Sequence, residues 1–454
     1  MRAVRHLGIA TLPIVVSCAT TLGGPDAAAR EGDVGHDTRA LADALGAPDP
    51  LDAPDPLDAP DPTDAASGLD AFTPRPTGLC SVAAPRVLWL EPDGISSWLG
   101  RRSRAATDAD VREMVRAAHR RGFETLVLAY VQHINCFYYH SSIRTPFPVL
   151  EFRPGAPSAT TYVPADSYCA HAPPAGYLEL VYEEAERLGM TVVAGLGKSG
   201  DDQITYDLDA YYRAPDPAAL PVLNRRISDV VARNLEVARE LIGMFGDRTS
   251  FGGFYLSHEP VCVDVAANVW QPISDGIAAT RPGTFLLASP PAQFQVCLGA
   301  GTVAGYLGAL RLYAVAYQDA IGAGTDASGN YTCTDSARDA RIATLPTAYA
   351  AIRASHAGAI AQVWANVEAW NMNGLDPDGM VLTPVPPSTC GYGYNHAGPL
   401  ARVLRQIDAV DEMVDAVMVN EGHTTFLVEG YELEHPFWRA PAEAFTHDYD
   451  ACLR

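Results

Sequence analysis

Eight short apolar runs alternate along this chain with amphipathic helical stretches, and few architectures accommodate that rhythm. The runs are Arg86–Asp93, Glu124–Val131, Met190–Gly197, Gly252–Glu259, Thr284–Pro291, Arg311–Asp319, Ala359–Trp370 and Asp415–Gly422. Segments such as LVLAYV and TVVAGL are apolar at nearly every position, which suits parallel strands covered on both faces. Between them, Asp110–Gly122 sets Val111, Val115 and Ala118 on one helical face, and Tyr177–Gly189 does the same with Leu178, Val181, Tyr182, Ala185 and Leu188. Leu223–Phe245 and Ala397–Val414 read as further helices, while the stretches after the fourth and fifth strands, interrupted by Pro and Gly, are weaker helix candidates. The pattern predicts an α/β fold, a (β/α)8 TIM barrel with long loops. A doubly wound open sheet is the rival. No GxGxxG opens a helix after the first strand, and GLGKSG at 195–200 lacks the spacing of a phosphate loop.

The first 80 residues do not share that rhythm. Residues 1–18 read as an export signal: Arg2 and Arg5 precede the apolar run Leu7–Val16, which is too short to span a bilayer. VVSC at 15–18 resembles the bacterial lipobox, which implies lipidation of Cys18 and a chain anchored through lipid in the cell envelope or secreted. Residues 19–80 read as a disordered acidic tether. Within it, Ala47–Asp64 repeats APDPLD, APDPLD and APDPTD, whose prolines favour an extended chain and whose aspartates repel one another. The folded domain is expected over 81–454.

Charge narrows the partners. Lys and Arg number 32 against 54 Asp and Glu, a net charge of -22, so a phosphate backbone is repelled and nucleic acid is not an expected partner. A monomer is expected. Nine cysteines leave eight once Cys18 is set aside, an even number suited to disulfides in an oxidising compartment, and no CxxC pair suggests a zinc ribbon.

Polar residues gather where the strands end. They are Glu91 and Asp93, Gln132 and His133, Lys198, His258 and Glu259, Gln318 and Asp319, Asn366 and Glu368, and Asn420 and Glu421. In a barrel of this kind the chemistry sits at the C-terminal strand ends, and carboxylates buried there are costly unless partnered. Glu259 closes GGFYLSHE on the fourth strand and Glu368 lies in QVWANVEAW on the seventh, nearly opposite in an eight-strand ring. Two carboxyls facing across one mouth are what glycosidic cleavage needs, one to protonate the leaving oxygen and one to attack the anomeric carbon or activate water.

This placement is similar to that of the clan A glycoside hydrolases. More closely, EEAERLGMTVVAGLG (183–197), FGGFYLSHEP (251–260), ALRLYAVAYQDAIGAG (309–324) and QVWANVEAW (362–370) resemble a bacterial family of glycosidase-like barrels, domain of unknown function 4434. The resemblance implies that Glu259 is the acid/base and Glu368 the nucleophile of a retaining enzyme, with Gln318 and Asp319 lining the sugar site. One departure is His258, which stands where clan A enzymes usually carry an Asn that binds a sugar hydroxyl. That departure supports an alternative, a non-catalytic carbohydrate-binding surface lipoprotein on a degenerate barrel. Asn420-Glu421 has the Asn-Glu order instead, which makes Glu421 a reserve candidate.

Rings suit a sugar surface, because sugars stack their apolar C–H faces on aromatic side chains. Trp370, just past Glu368, is the expected platform and Tyr130 a neighbour, whereas Trp89 and Trp364 lie within strands and read as core. His133, His140, His171, His258, His396 and His423 show no HxH or HExxH spacing, so neither a metal nor a cofactor is expected. No GxSxG elbow supports a serine hydrolase. Barrel geometry suggests the pairings Cys136–Cys169, Cys262–Cys297, Cys333–Cys390 and Cys80–Cys452, three of which would staple the loops around the cleft.

Overall fold

A computed structural model describes residues 84–92, 106–133, 136–143, 149–150, 160–161, 176–198, 220–259, 262–291, 302–324, 334–371, 396–420 and 436–453. By internal contacts the chain divides into residues 1–74 and 75–454, and the described residues all belong to the second unit. Export signal, tether repeats and Cys18 therefore lie outside the described residues, as do Asp93, His171, His423 and Glu421.

Eight parallel strands close a barrel: β1 (Val87–Leu90), β2 (Thr125–Leu128), β3 (Thr191–Gly195), β4 (Phe251–Leu256), β5 (Leu286–Ala288), β6 (Ala314–Gln318), β7 (Gln362–Glu368) and β8 (Ala416–Asn420). Each pairs with its neighbours in chain order, and β1 meets β8 to close the ring. These are the eight expected segments. Their apolar runs are buried on both faces, by the barrel interior and by the helices outside, so a strand edge is nowhere left open.

The helices follow the same logic. α1 (Asp108–Arg120) begins at a capping box in which Thr107 and Asp110 bond each other's backbone, and it buries Val111, Met114, Val115, Ala117 and Ala118. α2 (Tyr177–Leu188) packs beside it and stops at Gly189, which adopts φ 71. α3 (Leu220–Phe245) lies against α4 (Val263–Thr280), where a Cβ on Gly276 would come within 2.5 Å of Leu235. The segment after β4 read as a weak helix in sequence because of Pro272, yet α4 continues through it. Burial of Val269, Trp270, Ile273 and Ile277 outweighs the missing N–H. α5 (Val303–Ala309), α6 (Asp335–Ile342), α7 (Leu345–His356) and α8 (Leu400–Val410) complete the layer, and α9 (Pro436–Leu453) returns to α1 through Arg121, which grips Asp450 with two hydrogen bonds of 2.8 and 2.9 Å.

One irregularity positions the site. Val192 pairs with Phe251 but Val193 pairs with Gly253, so β4 carries one extra residue, Gly252, against β3. Gly253 takes φ 108 and lies so close to Phe285 that a Cβ would collide with its carbonyl oxygen. Side chains alternate along a strand, so this bulge moves every later β4 residue to the opposite face. Phe251, before it, packs against Tyr182 of α2, whereas Tyr255, Ser257 and Glu259, after it, face the cavity described below.

Cys136, Cys262 and Cys452 are disulfide-bonded. Their expected partners Cys169, Cys297 and Cys80 lie outside the described residues, and so do Cys333 and Cys390.

Candidate active site

The C-terminal strand ends surround a cavity of about 190 Å³. β1 contributes Trp89, Glu91 lies just past its end, the chain leaving β2 contributes Ala129 and Tyr130, and Lys198 follows β3. Tyr255, Ser257 and Glu259 come from β4 and its continuation, Gln318 from β6, Glu368 from the end of β7 and Trp370 from just past it, and Asn420 from β8. The two carboxyl residues singled out by position thus share one cavity, with Tyr130, Gln318, Trp370 and Asn420 around them.

Five other described residues chosen from strand ends, Gln132, His133, His258, Asp319 and Asn366, do not line it, and the pleat explains two of them. Gln318 points inward on β6, so its neighbour Asp319 points outward into the helix layer, where it is 1% exposed. Glu259 faces the cavity, so His258 is turned away and buried. The sugar-lining role expected for Asp319 and the subsite position expected for His258 are corrected accordingly. Asn366 does point inward, two residues below Glu368, but it is buried there and its Nδ2 donates to Ser289 Oγ at 2.8 Å. Trp364, lower again, packs on Phe285 as core. Trp89 is part of the buried core, as expected, and also forms part of the cavity wall.

Glu368 sits in a cradle built by the turn after β6. Ala323 N–H donates to its Oε2 at 2.8 Å. Asp319 Oδ1 accepts from the Glu368 amide at 3.3 Å and from the Ile321 amide at 3.1 Å, so one carboxylate ties β7 to that turn. Asp319 Oδ2 accepts from Gln406 Nε2 of α8 at 2.5 Å, and Arg402, also on α8, donates to the carbonyls of Glu368 and Trp370 at 3.1 and 3.0 Å. Within the turn Ala320 adopts φ 58, a strained conformation without glycine. A Cβ on Gly322 would stand 2.8 Å from Glu368 Cβ and 3.0 Å from Oε2, so only glycine lets the carboxyl lie this close.

The electrostatics follow from that burial. Glu368 is 3% exposed, and loss of water pushes its carboxyl up to about 8, with the nearby Asp319 charge adding to the effect. The Ala323 amide and Arg402 oppose this, and Glu259 adds a further upward push. Asp319 is also raised by burial, against Gln406, the Ile321 amide and Arg402. Its three hydrogen-bond donors favour the ionised form, whereas Glu368 Oε2 accepts from a single amide, which leaves the proton of the pair on Glu368. His258 is driven down to about 4, first by burial and then by Lys198, and so remains neutral near pH 7. Lys198 Nζ lies 5.3 Å from the Tyr130 ring centre.

Sequence reasoning left six wall residues without a site role, one of them Ala129. Glu91 and Lys198 stood at strand ends but were given no role, Trp89 was read as core, and Tyr255 and Ser257 lie two and one pleat repeats below Glu259. Strict alternation back from Glu259 would have found the last two. Among the described residues no group of three or more His, Cys, Asp or Glu is placed to hold a metal ion, and no helix is long and apolar enough to cross a membrane.

No family model matches the sequence, that of domain of unknown function 4434 included, and no curated protein matches it. Solved structures do. A candidate alpha-L-fucosidase from Bacteroides thetaiotaomicron VPI-5482 superposes with a TM-score of 0.50 at 14% identity, covering 86% of this chain and 98% of that one. The endo-1,4-beta-D-mannanase from Thermotoga petrophila RKU-1 gives 0.45 at 11% identity, over 81% and 100% of the two chains. At such identities the first likeness is one of fold, the TIM barrel found in glycoside hydrolases, and the second is too distant to add to it.

Proposed function

We propose that the chain is a glycoside hydrolase acting on an extracytoplasmic carbohydrate, exported, anchored by lipid at Cys18 and monomeric. The observation that supports this most directly is that Glu259 and Glu368 line one cavity at the C-terminal end of a (β/α)8 barrel. Cleavage of a glycosidic bond needs one carboxyl carrying a proton and one without. Burial that pushes Glu368 up to about 8 supplies the proton-carrying member near neutral pH.

In the roles implied by the clan A resemblance, Glu259 protonates the leaving oxygen, Glu368 attacks the anomeric carbon, and Glu259 then activates the water that releases the sugar. A second reading exchanges the roles, and the proton resting on Glu368 favours it. The pH profile separates the two. Ionisation of a nucleophilic Glu368 makes turnover rise toward pH 8, whereas ionisation of an acid there makes turnover fall beyond it.

Glu259→Gln and Glu368→Gln test the class of function. In a hydrolase each lowers turnover of an aryl glycoside by roughly 10²–10⁴-fold with little effect on glycan binding. Unchanged glycan binding by a parent chain that turns over no glycoside in a broad panel leaves the carbohydrate-binding lipoprotein as the function.

A further inference from the structure

Among the described residues, the barrel's own ladder stops holding β7 just where the site begins. Its pairing with β6 ends at Asn366 and its pairing with β8 at Glu368. The carbonyls of Glu368, Ala369 and Trp370 nevertheless all have donors, and all from one short stretch around the start of α8. Arg402 Nη2 donates to Glu368 O at 3.1 Å and to Trp370 O at 3.0 Å, and the Gly398 amide donates to Ala369 O at 2.9 Å. A guanidinium nitrogen of this kind carries two N–H groups, so one atom serves both carbonyls. The two residues it joins both line the cavity.

The surroundings are shaped to this contact. A Cβ on Gly398 would collide with Arg402 Nη2, so glycine there makes room for the guanidinium. The turn after β6 meets the same pair: a Cβ on Gly322 would stand 2.6 Å from Trp370 O and 2.8 Å from Glu368 Cβ. Stability alone does not ask for an arginine here. Arg402 is 4% exposed, and a charge stripped of its water is seldom worth more than well-packed apolar atoms of the same size. Burial drives its guanidinium down to about 10, against the pull of Asp319, so it stays charged near neutral pH. What an apolar side chain could not supply is direction, two N–H groups aimed at two chosen carbonyls.

We propose that Arg402 is a positioning residue that sets the Trp370 ring at a fixed offset from the Glu368 carboxyl, so that a sugar ring stacked on the indole meets that carboxyl in register. The stacked sugar rests on the glycosidase reading, whereas the offset is tested without turnover.

The Trp370 indole ¹H–¹⁵N resonance of the full chain is identified by its loss in Trp370→Phe. It is expected to move in Arg402→Met and to stay in place in Arg405→Met, which removes an exposed arginine of the same helix that bonds Asp339. A resonance unmoved by Arg402→Met, or moved equally by Arg405→Met, overturns the proposal. Turnover of an aryl glycoside then separates positioning from general support. Arg402→Met is expected to lower kcat/KM roughly 100-fold in the parent chain, but less than about tenfold in a Trp370→Ala background, where no ring is left to place. Equal losses in the two backgrounds mean that Arg402 acts independently of Trp370, and overturn the proposal. Should Arg402→Met fail to fold, Gly398→Ala, which displaces the guanidinium without removing it, takes its place in both measurements. A chain whose resonance moves as expected but which cleaves no glycoside loses the hydrolase reading and keeps the fixed offset. A hydrolase whose resonance does not move loses the offset and keeps the reading.

Discussion

The ends of β4 and β7 each bring a glutamate to the same cavity by different means. Glu259 gets there through phase: an extra residue, Gly252, shifts the pleat of β4 so that Tyr255, Ser257 and Glu259 turn inward. Glu368 needs no such shift, and lies at the inward position of an unbroken β7, clasped by the Asp319–Gly324 turn and by α8. Glu259 is part-exposed and Glu368 almost wholly buried. The difference teaches that a side chain's acidity comes from its support: the dry wall that Glu368 shares with a second carboxylate pushes its pKa up.

The most disruptive way to break that contrast is to remove the bulge. Deletion of Gly252 restores the register of β4 with β3 and turns Glu259 toward the helices. Turnover of an aryl glycoside is expected to fall roughly 10²–10⁴-fold, matching Glu259→Gln. Circular dichroism that still reports a folded barrel, together with undiminished activity, would contradict this account of β4.

A subtler change spoils the clasp on β7. Gly322→Ala places a methyl against Glu368 Cβ and Oε2, where main chain and carboxyl leave little room to yield. Displacing a reacting group by a fraction of an ångström to one ångström costs up to about 100-fold, so kcat is expected to drop by that order while KM changes little. Equal losses in both would point to a general loosening of the cavity.

Asp319→Asn sharpens the contrast without moving atoms. The new amide can still accept from the Glu368 and Ile321 backbones, and Gln406, whose Oε1 has no partner among the described residues, can turn its amide to accept from it. What is lost is a negative charge that holds the Glu368 proton, so Glu368 ionises at lower pH. The corresponding limb of the pH–kcat profile is expected to move down by about one unit, whichever role Glu368 plays. A limb that stays put contradicts the electrostatic part of the argument.

His258→Asn is expected to have the smallest effect, seen in stability. The buried imidazole binds its proton only near pH 4, whereas an unfolded chain takes it up near 6.5. The unfolded state therefore holds more protons between those values, and stability contributed by neutral His258 is lost as pH falls through the window. Asn has no such loss, so the gap in Tm between variant and parent should narrow or reverse in the variant's favour from pH 7 to 4. The difference is of order 2 kcal/mol.

The eight strands were legible because doubly buried parallel strands must be apolar at nearly every position, a demand that leaves little ambiguity in runs such as LVLAYV. The site was legible only in part. Polar residues at strand ends drew attention to the right rim, but neighbours on a strand cannot both face inward, and Gln318 and Asp319 were treated alike. The bulge at Gly252 is a matter of pairing between β3 and β4, which no local pattern reports. The clasp on Glu368 was invisible for the same reason: Asp319, Gly322, Arg402 and Gln406 come together only when β6, β7 and α8 do. Pro272 misled in the opposite direction, because its local penalty is small beside the burial of Trp270 and its neighbours.

Asp319, Arg402 and Gln406 reach Glu368 from the helix side of the sheet, a place that no substrate visits. The acidity at which such a barrel works can then be retuned by substitutions behind the wall, leaving the surface that lines the cavity untouched. Working pH and ligand choice become separately heritable traits, and selection can adjust the first in a changing environment without relearning the second.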